Sequence, residues 1–306
     1  MKINKCLILS AGLGTRMGNI GEVLPKVMWP VFGKPILELQ IRYARSIGAK
    51  RIYINTHHGS EIIHGYIKNS DFTDVHVLYE PELLGIGGTI HRIKEISQED
   101  DNLLVINGDQ FYFPDKNSFA NGLELIRENN VVLFAIKVNK NQGYNQLIDN
   151  DGFLVNIKTQ AIVPQEYNTY SGVCVVNLKK LNFVAGKSDF FQTVAKYEDG
   201  KVKIVEPHGF EYWDFGTTER YFSSMFRVLA DHDQPRNKNS GFNELCDSSG
   251  IFKGLDCKQF RSSSIINLSR YACKTGLDVR AIVIDSNGPQ TIFESGIYYK
   301  KYFNSI

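Results

Sequence analysis

Residues 7–18 read LILSAGLGTRMG. An apolar run, Leu7 to Leu9, enters a loop of small residues that carries Gly12 and Gly14 and then presents Arg16. A loop stripped of side chains lets something approach its backbone, and a guanidinium beside it suits an anion. A run of this kind that ends in a glycine turn is the first strand of an α/β sheet, where ligands gather at the carboxyl ends of the strands. The loop alone leaves a second reading open, in which the glycines only make a tight strand-to-helix turn and Arg16 is a solvated charge.

The pattern continues outward from that stretch. RIYINT, VHVLYE, NLLVING and VVLFAIKV read as buried strands. Between them GKPILELQIRYARSIG, SEIIHGYIK, GGTIHRIKEI and FANGLELIRE carry helical periodicity, with Leu37, Ile41, Ala44 and Gly48 on one face of the first. Such alternation predicts a mostly parallel sheet covered on both faces. From about Asn139 the pattern shifts to GFLVNI, YSGVCVVN and KVKIVEP, strands with less helix between them, and then a helix at TTERYFSSMFRVLAD. HDQPRNKNSGFN is polar and broken by Pro and Gly. The expected division is therefore 1–232, a linker at 233–243, and a mainly β extension at 244–306 with no helix of its own, matching a hexapeptide β-helix loosely. That extension is expected to serve assembly, including a homo-oligomer contact, and to supply no catalytic group.

The bulk numbers exclude several classes. The chain has 306 residues, 42% of them hydrophobic, and 35 basic against 33 acidic residues for a net charge of +2. That balance gives no field for nucleic acid or an anionic membrane. No stretch has the apolar length to span a bilayer, and the amino-terminal run is too short for a signal peptide. The five cysteines, Cys6, Cys174, Cys246, Cys257 and Cys273, form no CxxC pair and read as reduced thiols of a cytoplasmic protein. His57, His58 and His64 read as turn and helix-surface residues, with a metal site as the lesser alternative. Tyr298, Tyr299, Tyr302 and Phe303 read as packing or interface residues.

Two phosphate-loop patterns fail here. GxxxxGK[ST] is absent, and Gly12, Gly14 and Gly18 have the wrong last spacing for GxGxxG; RIYINT also ends without the acidic residue that would take a ribose. What remains is an amide cradle flanked by two cations, Arg16 and Lys26, which suits a polyphosphate.

The wider stretch LSAGLGTRMGNIGEVLPKVMWPVFGKPIL (9–37) resembles the signature of the sugar-1-phosphate nucleotidyltransferases. EPELLGIGGT (80–89), VINGDQFY (105–112) and EYWDFGTTERYF (211–222) follow in that family's order, so that the resemblance spans about residues 5–230. It implies a doubly wound, Rossmann-like α/β core and the reaction of an NTP with a sugar 1-phosphate to give NDP-sugar and pyrophosphate, for cell-surface polysaccharide synthesis. It implies Arg16 and Lys26 as the catalytic cations, and Ala11, Gly12, Gly14, Thr15, Gly85 and Gly88 around the nucleotide. It implies Ser171, Gly172 and Lys158 at the sugar phosphate, and Mg²⁺ on Asp109 and Asp214. The phrasing is closest to members using GTP with heptose or mannose 1-phosphate, or UTP with N-acetylmuramate 1-phosphate. The sequence departs from the pattern at GNIGEV, where several members have Pro-Leu-Thr, and no acidic neighbour accompanies Lys158. On the residues alone, Asp109 could be a turn residue, Asp214 a helix-cap neighbour, Gly87–Thr89 a helix start and YSGVCVV an ordinary strand. A non-catalytic nucleotide-sugar sensor and a cytidylyltransferase for a non-sugar phosphate are the rival functions.

Overall fold

The computed structural model describes residues 3–97, 102–139, 142–159, 166–232, 240–251, 265–268, 273–275, 280–292 and 294–306. The chain forms two compact units woven from alternating segments: residues 1–11, 44–57 and 72–212 make the first, and 12–43, 58–71 and 213–306 the second.

The first unit is built on a nine-stranded sheet. Its strands are β1 (Lys5–Leu9), β2 (Arg51–Thr56), β3 (Val75–Tyr79), β4 (Asn102–Asn107), β5 (Val131–Val138), β6 (Gln146–Asn150), β7 (Phe153–Lys158), β8 (Tyr167–Asn177) and β9 (Val202–Val205). Their spatial order is β3-β2-β1-β4-β8-β5-β9-β7-β6. Neighbours β3, β2, β1 and β4 are parallel, as are β5 and β9. Only β8 and β7 run against the rest, which makes the sheet mostly parallel, as the alternation predicts. Leu7, Val105, Leu133 and Cys174 are buried on one face with Ile90 and Ile93 of the helix Gly85–Ser97. On the other face Phe134 stacks on Phe119 of the helix Lys116–Leu125. Successive residues, Leu133 and Phe134, thus serve opposite faces, which is why these strands are apolar throughout.

The helix Ile36–Ile47 buries Leu37, Ile41 and Ala44 as expected, and Gly48 ends it at φ 108°. The helix Thr218–His232 buries Tyr221, Met225 and Val228 at helical spacing, with the Tyr221 ring edge-on to Trp29. The expectation of no helix after Ser240 is corrected. Ser240 caps a helix, Gly241–Ser248, by accepting from the Asn243 amide, and its Phe242 stacks on Trp213. The linker expected at 233–243 lies outside the described residues up to 239.

Beyond that helix the described residues form strands, as expected. Strands β10 (Ile265–Asn267), β12 (Ala281–Asp285) and β14 (Gly296–Tyr299) pair in parallel, with Ile265 opposite Ala281 and Ala281 opposite Gly296. The offsets are 16 and 15 residues, and each connection holds a short strand rather than a described helix. Strand β11 (Cys273–Thr275) pairs in parallel with β13 (Gln290–Ile292) in the same way. These strands make a four-stranded and a two-stranded sheet, the small β extension expected from the sequence. The last strand, β15 (Tyr302–Ser305), turns back antiparallel to β14.

Candidate active site

Gly14 sits at φ 70° and starts a short 3₁₀ turn, Thr15–Met17, in which the Met17 amide donates to the Gly14 carbonyl at 2.8 Å. A Cβ on Gly14 would stand 2.9 Å from the Gly21 carbonyl oxygen. Packing and backbone both demand glycine there. Gly12 is different. Its φ lies outside the left-handed region and a Cβ on it would meet nothing within 4 Å. No neighbouring atom requires glycine at 12, which is exposed. Thr15 and Arg16 are exposed beside it, and Lys26 is half-buried at the start of a second 3₁₀ turn, Lys26–Met28. The Arg16 carbonyl accepts from Thr218 Oγ1 at 3.4 Å.

Lys26 follows Pro25, against which the His57–Gly59 turn has its close approach. Gly59 has φ 59°, and a Cβ there would come 2.4 Å from Pro25 Cγ. The histidine run therefore ends in a glycine that shapes the wall behind Lys26. Among the described residues no group of three or more His, Cys, Asp or Glu could hold a metal ion.

The carboxyl ends of the first unit's strands carry a polar network. Asn55 Oδ1, at the end of β2, accepts from the Ser10 amide at 2.8 Å, beside the buried Ala11. Asn55 Nδ2 donates to Glu80 Oε1 at 3.0 Å, and Thr89 Oγ1 donates to the same oxygen at 2.6 Å. Glu80 Oε2 accepts from the Leu84 amide at 3.1 Å. Glu80 thus fixes the start of LLGIGG, while Asn55 ties it to the end of β1. Sequence reasoning missed both; the available signal was a buried asparagine ending an apolar strand. Gly85 and Gly88 stand here. A Cβ on Gly85 would be 2.6 Å from the Ser188 carbonyl, and on Gly88 2.5 Å from that of Gly186, so these glycines let the helix meet the 186–188 loop.

Ser171 and Gly172 form a bulge in β8, where its register against β5 shifts between Tyr170 and Cys174. Gly172 has φ 84°, and a Cβ on it would strike Gln110 Oε1 and Asn107 Nδ2, a pair hydrogen-bonded to each other at 2.7 Å. Asn107 and Gln110 flank Asp109 in the chain, at the end of β4. Lys158 does not join them. Strand β7 runs antiparallel to β9 from the pair Phe153–Lys203, so its later residues run back past the amino ends of the parallel strands. Lys158 is exposed at the far end of β7, three strands away from β8 and Gly172 in the sheet.

Asp109 is nearly buried in the turn after β4, which is tied to β1 by the Gly108 amide donating to the Leu9 carbonyl at 3.0 Å. Asp214 is equally buried. Its Oδ1 accepts from the Gly216 amide at 2.7 Å and its Oδ2 from Arg220 Nη1 at 2.9 Å. Two carboxylates are hard oxygen donors of the kind Mg²⁺ takes along with substrate phosphates. The donor type fits, with the qualification that Asp214 already carries a cationic partner.

Residues 5–151 match the family model described as Nucleotidyl transferase. The fold is similar to that of HddC from Yersinia pseudotuberculosis complexed with GMP-PN, at a TM-score of 0.60 and 22% identity over 74% of this chain and 99% of that one. It is also similar to a candidate glucose-1-phosphate thymidylyltransferase from Bacillus anthracis in complex with a sucrose, at a TM-score of 0.59 and 16% identity over 73% of this chain and 94% of that one. At these identities the two structures speak for the fold, a nucleotidyltransferase-like α/β sheet. Among the described residues no helix is long and apolar enough to cross a membrane. Residues 5–151, just under half of the chain, thus match the nucleotidyl transferase family model, on a sheet whose fold is similar to that of these structures.

Proposed function

We propose that this nucleotidyltransferase moves a nucleotidyl group from an NTP to a sugar 1-phosphate. An oxygen of the sugar phosphate attacks the α-phosphorus. The bond from that phosphorus to the bridging oxygen of the β-phosphate breaks, and pyrophosphate leaves with the electron pair. The attacking phosphate is ionised at neutral pH, so no general base is needed; the task is to hold two anions in line. The observation that carries this reading is Gly12, a glycine with open space before it and no structural reason to lack a side chain, beside an exposed arginine.

Backbone amides of Gly12 to Thr15 and the Arg16 guanidinium would hold the β- and γ-phosphates, and Lys26 the α-phosphate and incoming sugar phosphate. Ala11, Gly85 and Gly88 would border the nucleoside, and Ser171 and Gly172 the sugar. Asp109 and Asp214 are the proposed Mg²⁺ ligands; when bound, the ion neutralises phosphate charge. The similarity to a structure solved with GMP-PN favours GTP over UTP. The buried free thiols Cys6, Cys174 and Cys246 suit a cytoplasmic enzyme making NDP-sugars for cell-surface polysaccharides.

Gly12→Val tests this. The fold has room for the side chain, so the variant is expected to unfold at the wild-type temperature while its affinity for the preferred NTP falls by about tenfold or more. Unchanged NTP affinity in a folded Gly12→Val protein would overturn the reading.

A further inference from the structure

The turn that carries Arg16 is held from below by the far end of the chain. Asn304 of β15 is nearly buried, and its Nδ2 donates to the Met17 carbonyl at 2.7 Å. Strand β15 packs against the short helix Gly18–Gly21 that follows the turn. The fit is tight from the other side as well. Gly18 has φ 56°, and a Cβ on it would stand 2.7 Å from Asn304 Oδ1. Glycine at 18 is therefore required both by its backbone and by the amide beneath it. Three hydrogen bonds now fix the turn: one internal from Met17 to Gly14, one from Thr218 to Arg16, and one from Asn304 to Met17. The third is the shortest, is buried, and comes from a residue 287 positions away.

We propose that Asn304 is a positioning residue for the nucleotidyl transfer, and that β15 latches the Arg16 turn in the conformation that meets the triphosphate. This rests on the role given to Arg16 above. A short 3₁₀ turn between glycines has little stability of its own, since Gly14 and Gly18 flank it and each widens the unfolded ensemble. A buried amide donor at its last carbonyl selects one conformer. Without it the guanidinium samples positions that miss the phosphates, and the loss falls on the transition state, where geometry is most demanding. The β extension would then be part of the working enzyme and not only a contact for assembly.

The test uses the full chain and Asn304→Asp, which keeps the shape and replaces the donating amide with an acceptor facing the Met17 carbonyl. Two readouts are followed. The first needs no substrate: trypsin cleavage after the exposed Arg16, which requires the turn to open locally. Cleavage there is expected to speed up about tenfold or more over wild type, while cleavage at other sites keeps its rate. The second is turnover: kcat is expected to fall by a similar factor with KM for the sugar phosphate little changed. Ser305→Ala, one residue on and exposed, should behave as wild type in both. Gly18→Ala, which drives a methyl into the Asn304 amide, should reproduce both effects, and the double variant should lose no more than either single one. If Asn304→Asp fails to fold, Gly18→Ala alone decides the matter. Wild-type cleavage at Arg16 together with wild-type kcat in either folded variant would overturn the latch. Faster cleavage at Arg16 in a protein that transfers no nucleotidyl group even as wild type would leave the latch standing and remove the proposed function instead.

Discussion

Gly21 lies across Gly14 so closely that a Cβ on Gly21 would stand 2.4 Å from the Gly14 carbonyl oxygen and 2.7 Å from Met17 Cβ. The nearest atoms are backbone and a β-carbon, neither of which can swing aside. Gly21→Ala must therefore move the Arg16 turn. A clash of this kind costs about 1–3 kcal/mol of stability, and turnover should fall with it. Gly65, inside the helix Ser60–Lys68 with nothing within 4 Å of a Cβ, is the contrast. Gly65→Ala should stabilise by about 0.5–1 kcal/mol at unchanged turnover. Denaturant unfolding and initial rates on the two variants check both; equal behaviour would refute the packing argument.

Asp214 and Arg220 form an ion pair in which the carboxylate is nearly buried and the guanidinium half-buried. If Asp214 also holds Mg²⁺, the metal and Arg220 compete for its charge. Arg220→Gln is then expected to lower the Mg²⁺ concentration that gives half-maximal turnover. Asp214→Asn and Asp109→Asn should each cost on the order of a hundredfold or more in kcat while the protein stays folded. A Mg²⁺ titration of Arg220→Gln that matches wild type would remove Asp214 from the ligand set.

Glu38, buried in the helix Ile36–Ile47, gathers three donors: Lys34 at 3.0 Å, Arg42 at 2.7 Å and the Tyr66 hydroxyl. Burial by itself would raise its carboxyl. The hydrogen bonds from Tyr66, Arg42 and Lys34 outweigh it and hold the group below its ordinary range. A carboxyl whose folded value is depressed contributes stability that is present above the unfolded value, about 4.3, and is lost as pH falls through the folded one. Glu38→Gln should therefore be less stable than wild type near neutrality, and its stability should fall less steeply in acid. Unfolding free energies measured across that range would contradict the assignment if the two proteins lost stability in parallel.

Strands β1, β2, β4 and β5 were legible because buried parallel strands carry a near-continuous apolar signal. The Arg16 turn was legible as a motif, but Gly12 and Gly14 look alike in sequence and differ only in what surrounds them. Lys158 lies on β7, three strands from β8 in the sheet, a separation that chain order does not disclose. Asn55 and Glu80 were missed because their work is done across 25 residues by side-chain hydrogen bonds. The helix Gly241–Ser248 escaped because its opening, SGFNE, reads as a turn until Phe242 finds Trp213. Asn304 could not be seen at all: its partner is a backbone carbonyl 287 residues earlier.

The central claim is transfer of a nucleotidyl group to a sugar 1-phosphate. The most direct measurement is a grid of the four NTPs against hexose, heptose and N-acetylated sugar 1-phosphates in Mg²⁺, followed by mass spectrometry and pyrophosphate assay of the same wells. The account predicts at least one well in which an NDP-sugar and pyrophosphate appear in equal amounts, absent with Arg16→Ala. Pyrophosphate or orthophosphate released without any NDP-sugar, or a product formed only with a non-sugar phosphate, would contradict it.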